Sequence, residues 1–161
     1  MTTNVVPQPQ KDTEWQDLEG DINKFVRYPK NPRNEVYVIT GRYGSSDRIP
    51  STLPKAHFPH RTTEFNIDVP EMLWKVVLIP KKPGQSPTDI TDDPETFPKS
   101  FGVLFPNTNQ EASKLIWQDH VFSVNDIEEY TGYNFFSNIP AEVQEKIENN
   151  ITLPSFFNNK K

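Results

Sequence analysis

Apolar residues recur along this chain with two different periods. Between positions 13 and 27, Trp15, Leu18, Ile22, Phe25 and Val26 fall on one face at helical spacing, and Thr13 with Gln16 forms a capping box, so a helix is expected there. Gly20 weakens it by about 1 kcal/mol relative to alanine. Ahead of it, residues 1–6 end in Val5 and Val6 and are broken by Pro7 and Pro9, which reads as a strand end and a turn. Strand patterns follow. Residues 36–40 form one, stopped at Gly41; 64–69 alternate through Phe65, Ile67 and Val69; and 73–79 are apolar throughout except Lys75, the pattern of a strand buried on both faces. Residues 101–105 form another. Between these lie two expected loops: 42–63, with Pro50, Pro54 and Pro59, and the polar stretch 81–98.

The closing stretch, 123–148, reads SVNDIEEYTGYNFFSNIPAEVQEKIE. Ser123 and Asp126 can satisfy the free N–H groups of a helix start, Gly132 stops that helix, and Tyr133, Phe135 and Phe136 follow as expected buried anchors. Pro140 opens a second helix with Val143, Ile147 and Ile151 on one face. Phe156 and Phe157 in the final residues have no evident apolar home. The parts list is that of an α+β domain, mostly antiparallel, with helices packed on a central sheet.

Composition sharpens this picture in three ways. In 161 residues, an apolar content of 34% and sixteen prolines leave much of the length to loops. A net charge of −5 argues against a broad electrostatic footprint on a polyanion, although a cleft needs only local positive charge. The absence of cysteine excludes disulfides, thiolate metal sites and a cysteine nucleophile. Neither a membrane-spanning run nor a signal peptide is encoded, and the compartment stays open.

Chemistry-bearing patterns are few. His57 and His60 are separated by Phe58-Pro59, which prevents a regular helical turn, and no carboxylate pair completes a metal site. His120 stands at a strand entrance. Arg42, Arg48, Lys81 and Lys82 are expected on loops as solvated surface. No phosphate-cradling glycine loop and no Ser-His-Asp spacing is present.

The stretch 123–148, together with 36–44 (VYVITGRYG), 70–79 (PEMLWKVVLI) and 3–8 (TNVVPQ), resembles the DNA/RNA non-specific endonucleases, the sugar-non-specific nucleases with a ββα-metal site. The likeness runs from about Thr3 to Asn150 and covers the C-terminal part of the family domain, giving one domain over 1–153 and a tail at 154–161. It implies phosphodiester hydrolysis on DNA or RNA with Mg2+, in a family whose members are often secreted or periplasmic. Trp15, Leu18 and Glu19 resemble the anchors of the metal-site helix, which makes Glu19 the candidate catalytic residue; Asn4 and Gln8 resemble residues that support the metal shell.

The chain also departs from the pattern. The family's Asp-Arg-Gly-His segment, whose histidine activates the attacking water, does not occur. Lys11 stands where the metal-binding asparagine is expected, with Asp12 beside it, and Asn23 stands where an arginine usually contacts phosphate. Three readings follow. The chain is a fragment of a nuclease, separated from its histidine-bearing N-terminal part by a truncated gene model, a frameshift or a true split into separately encoded parts; or a degenerate, non-catalytic module that binds nucleic acid or protein; or an unusual autonomous nuclease whose base is His57, His60 or His120. The first two predict no cleavage by the chain alone, and the first predicts exposed apolar surface at the sheet edge.

Overall fold

The computed structural model describes residues 13–28, 34–45, 47–52, 64–107 and 116–158, with backbone alone at 13–14, 47–52 and 64–67. Helix α1 (Thr13–Arg27) leads into strand β1 (Tyr37–Tyr43), β2 (Asp47–Thr52), β3 (Glu64–Val69), β4 (Met72–Ile79), β5 (Lys99–Pro106) and β6 (Val121–Phe122), then helices α2 (Val124–Thr131) and α3 (Ala141–Asn149). The main sheet is antiparallel, ordered β1-β4-β5-β6; β2 and β3 form a separate two-stranded ribbon. The expected α+β class, with helices packed on an antiparallel sheet, is what forms.

Alternation along β4 and β5 builds both layers of the core. One face presents Val77, Ile79, Phe101, Val103 and Phe105 to Leu18, Trp15, Ile22 and Phe25 of α1. The other face presents Trp74, Val76 and Leu104 to Val124, Ile127 and Phe135, and Leu78 to Val143 and Ile147 of α3. With helices on both sides, β4 is buried at every position from Leu73 to Ile79, as its apolar run predicts. The α2 start has the expected capping box, with Ser123 and Asp126 each satisfying the other's backbone N–H, and Gly132 closes it in the left-handed conformation at φ 73°.

Several expectations from the sequence are corrected. Strand β1 does not stop at Gly41; it continues to Tyr43, because the Trp74 indole lies over Gly41 so closely that a Cβ there would come within 2.3 Å of the ring. Part of the expected loop 42–63 is therefore strand, and β2 takes another part. Pro50 pairs with Asn66 there, tolerated because each strand of a two-stranded ribbon keeps an open edge. Arg42 and Arg48 thus lie on strands rather than loops. Tyr133 is exposed instead of buried, and Ile151 lies beyond α3, half exposed. Phe157 does have a home: a short 3₁₀ turn, Ser155–Asn158, inserts it against Phe25, Phe101 and Trp117, and it is 2% exposed.

The stretch 81–98 is polar, but its backbone is tied down. Ser86 and Asp89 cap a 3₁₀ turn, Gln85 donates to the Thr96 carbonyl at 2.6 Å, and Ile90 is buried against Leu78, Ile139 and Val143. At the sheet's edge, by contrast, Tyr37, Val38 and Ile39 are exposed, on both faces of β1. No described helix is long and apolar enough to cross a membrane.

Candidate functional site

Helix α1 buries Leu18 and holds Trp15 and Glu19 one turn apart, so the two side chains are neighbours on the helix surface. Beneath them lies β4. Its alternation places Lys75 on the α1 face, in the row of Leu73 and Val77, where the surroundings are apolar. Lys75 is 4% exposed. Its Nζ donates to Glu19 Oε1 at 2.8 Å and sits 3.5 Å from the centroid of the Trp15 ring. A buried ammonium is costly unless it is paired, and a carboxylate with an aromatic face supplies that pairing. The Glu19 side chain is half exposed, so one end of the pair is dry and the other faces water.

Around this trio, Trp15 packs edge-on to Phe105 at 5.9 Å, and Phe105 in turn lies 5.6 Å from the His120 ring. Thr40 stands opposite Lys75 across the β1–β4 ladder, and its hydroxyl donates to the Trp74 carbonyl at 3.2 Å. Arg42 points to the same face as Thr40, two residues on, and is exposed. Lower on α1, Asp21 accepts from the Trp117 indole at 3.1 Å and from Lys24 at 3.0 Å, which ties the helix to the turn before β6.

Of the site residues expected from the sequence, Glu19 is placed on the helix as anticipated, with Trp15 and Leu18 as its anchors. Asn23 is exposed on the same helix. Asn4, Gln8, Lys11, Asp12, His57 and His60 lie outside the described residues. The residue that sequence reasoning missed is Lys75. Its signal was visible as the one charge inside an otherwise apolar strand, but its partner is 56 positions away, too far for any local pattern to supply.

The described residues do not by themselves fit a divalent cation: no group of three histidine, aspartate or glutamate side chains among them could hold one. The Glu19 carboxylate is one oxygen donor, and its nearest charged neighbour is an ammonium rather than another acid. A second ionisable centre lies on the opposite face of the sheet, where α3 meets α2. Glu148, 7% exposed, accepts from the Gln144 amide at 2.9 Å. Burial pushes its carboxyl up to about 7, the Gln144 hydrogen bond opposes that, and the nearby negative charge of Glu128 adds to it.

Comparison with known proteins bears on the family and the fold. The family model described as DNA/RNA non-specific endonuclease matches residues 1–142. A curated protein named as a nuclease, from Nostoc sp. (strain PCC 7120), is 26% identical over 153 residues, an alignment covering 94% of this chain and 47% of that protein. A solved chain from the crystal structure of the EndoG/EndoGI complex, a study of EndoG inhibition, superposes with a TM-score of 0.51 at 17% identity, covering 86% of this chain and 50% of that one. The chain thus spans about half the length of the proteins it matches.

Proposed function

The chain belongs to the DNA/RNA non-specific endonuclease family, and on that premise we propose that it supplies the helix-and-sheet half of a phosphodiester-hydrolysing site and does not cleave nucleic acid by itself. The observation that carries this reading is the environment of Glu19. Phosphodiester hydrolysis needs a base to activate water and positive charge to stabilise the developing oxyanion and leaving group. At α1 one acidic group is held in a fixed place, open to water on one side and backed by a buried ammonium on the other. Among the described residues no imidazole joins it with a hydrogen bond, and no set of donors assembles for the Mg2+ that the family resemblance implies. What this chain's own residues do is place a carboxylate, keep one side of it dry, and present it from a rigid layer.

The substrate under this reading is DNA or RNA, and the imidazole base comes from the part of the family domain that this chain does not match. The exposed Tyr37, Val38 and Ile39 of β1 support the same reading, which anticipates apolar surface at the sheet edge.

The test is an incubation of the purified chain with supercoiled plasmid and with RNA in the presence of Mg2+, alone and after addition of a polypeptide carrying the unmatched half of the Nostoc nuclease. No cleavage alone and cleavage in the mixture is the expected outcome. Robust cleavage by the chain alone, abolished by His120→Ala, overturns the proposal. A mobility shift without cleavage in either arm favours the binding module.

A further inference from the structure

We propose that Lys75 is a positioning residue for Glu19, holding one carboxylate oxygen so that the other is presented to the site in a single orientation. The inference rests on the reading of Glu19 as a site carboxylate, and it deepens that reading by naming what aims it.

A glutamate on a helix surface has three soft torsions, and when half exposed it ordinarily samples several rotamers. Here the order is imposed from below. Lys75 rises from the middle of β4, where its neighbours on the same face, Leu73 and Val77, are 1% and 0% exposed, so its stem has no room to wander. Its ammonium rests over the Trp15 ring, a broad face that fixes position without consuming a directional hydrogen bond. The strand and the indole therefore fix the ammonium, and the ammonium fixes Glu19, rather than the reverse.

The geometry of the pair is one-sided. Lys75 engages Oε1, while Oε2 has no hydrogen-bond partner among the described residues and the side chain is half open to water. A pair that served stability alone would gain by satisfying both oxygens. This one leaves an acceptor unspent at the surface of a rigid layer, which is the preorganisation a site needs from a group that must not reorient during reaction. The same reasoning explains why Trp15 and Glu19 are spaced by four: the spacing puts the ring and the carboxylate on either side of one ammonium.

The experiment uses the full chain and reads neither metal nor nucleic acid, so its failure is distinct from failure of the nuclease reading. The Hα–Hβ couplings of Glu19 are measured by NMR in the wild type, in Lys75→Met and in Lys75→Arg. The wild type is expected to show one large and one small coupling, the signature of a single rotamer; Lys75→Met averaged values with backbone shifts elsewhere on the sheet unchanged; and Lys75→Arg a return to the single rotamer. Averaged couplings in the wild type, or a single rotamer that survives in Lys75→Met, overturn the proposal. Should Lys75→Met fail to fold, Glu19→Gln at the half-exposed end replaces it. The Lys75 ammonium protons should then exchange with water at least tenfold faster than in the wild type, and an unchanged rate overturns the proposal.

Discussion

The two faces of the main sheet each bury an ionisable side chain, and they treat it in opposite ways. Under α1, Lys75 meets an opposite charge on Glu19 and the face of Trp15. Where α2 and α3 meet on the other side, Glu148 is buried beside a second carboxylate, Glu128, and its carboxyl is pushed up to about 7, chiefly by burial. An ammonium given a carboxylate and a ring has its charge compensated where it stands. An acid buried beside another acid surrenders its charge near neutrality and becomes a joint that responds to pH. The candidate site lies on the compensated face. Chemistry needs a group that stays where it is, and the face that provides this is also the one closed by the largest aromatic cluster.

That cluster gives the largest expected effect. Phe157 ties the end of the chain to Phe25, Phe101 and Trp117, with ring centroids 5.1, 5.9 and 5.7 Å away. Phe157→Ala is expected to cost about 3–5 kcal/mol by chemical denaturation. A cost below about 1 kcal/mol would show that the last residues are not part of the α1 face.

The Lys75–Glu19 pair comes next, and its two ends should not be equivalent. Glu19→Ala leaves the ammonium buried without that carboxylate and is expected to cost about 1–3 kcal/mol. Lys75→Met leaves Glu19 half in water, and a thioether suits the apolar row in which Lys75 stands, so it should cost less than Glu19→Ala. Equal costs would mean that burial of the lysine is not what governs the pair.

The smallest effect tests the opposite face. Because the folded pKa of Glu148 lies above its value of 4.5 in the unfolded chain, the folded state binds the proton more tightly. The stability this contributes is fully present below about pH 4.5, falls as pH rises, and is lost once pH passes about 7. Glu148→Gln is therefore expected to be near neutral at pH 5 and to stabilise by roughly 1–2 kcal/mol at pH 8, flattening the pH profile of Tm. An unchanged profile would remove the contrast between the faces.

Local rules carried much of this molecule. Helix α1 runs over the residues its apolar stripe predicts, β4 is buried on both faces as its apolar run requires, and the Ser123–Asp126 capping box and the Gly132 stop are both in place. What was not legible depended on neighbours. Gly41 reads as a strand end, but the Trp74 ring above it makes glycine the residue that lets the strand continue. Tyr133 reads as an anchor in an aromatic run, but only Phe135 of that run is deeply buried.

Strands β1 and β4 show the division most plainly. Both read as apolar runs, yet β4 has a strand on either side and helices on both faces, whereas β1 is an edge strand among the described residues and leaves Tyr37, Val38 and Ile39 exposed. By itself the sequence determined the family, the periods of its helices and strands, and Glu19 as a candidate, because those depend on residues within a few turns of one another. Only the tertiary structure decided that Lys75 stands under Glu19, that Phe157 closes the core, and that Glu148 is buried beside Glu128. Each of those pairings joins segments distant along the chain, and burial, which sets whether a charge is kept or surrendered, exists only once the layers have packed.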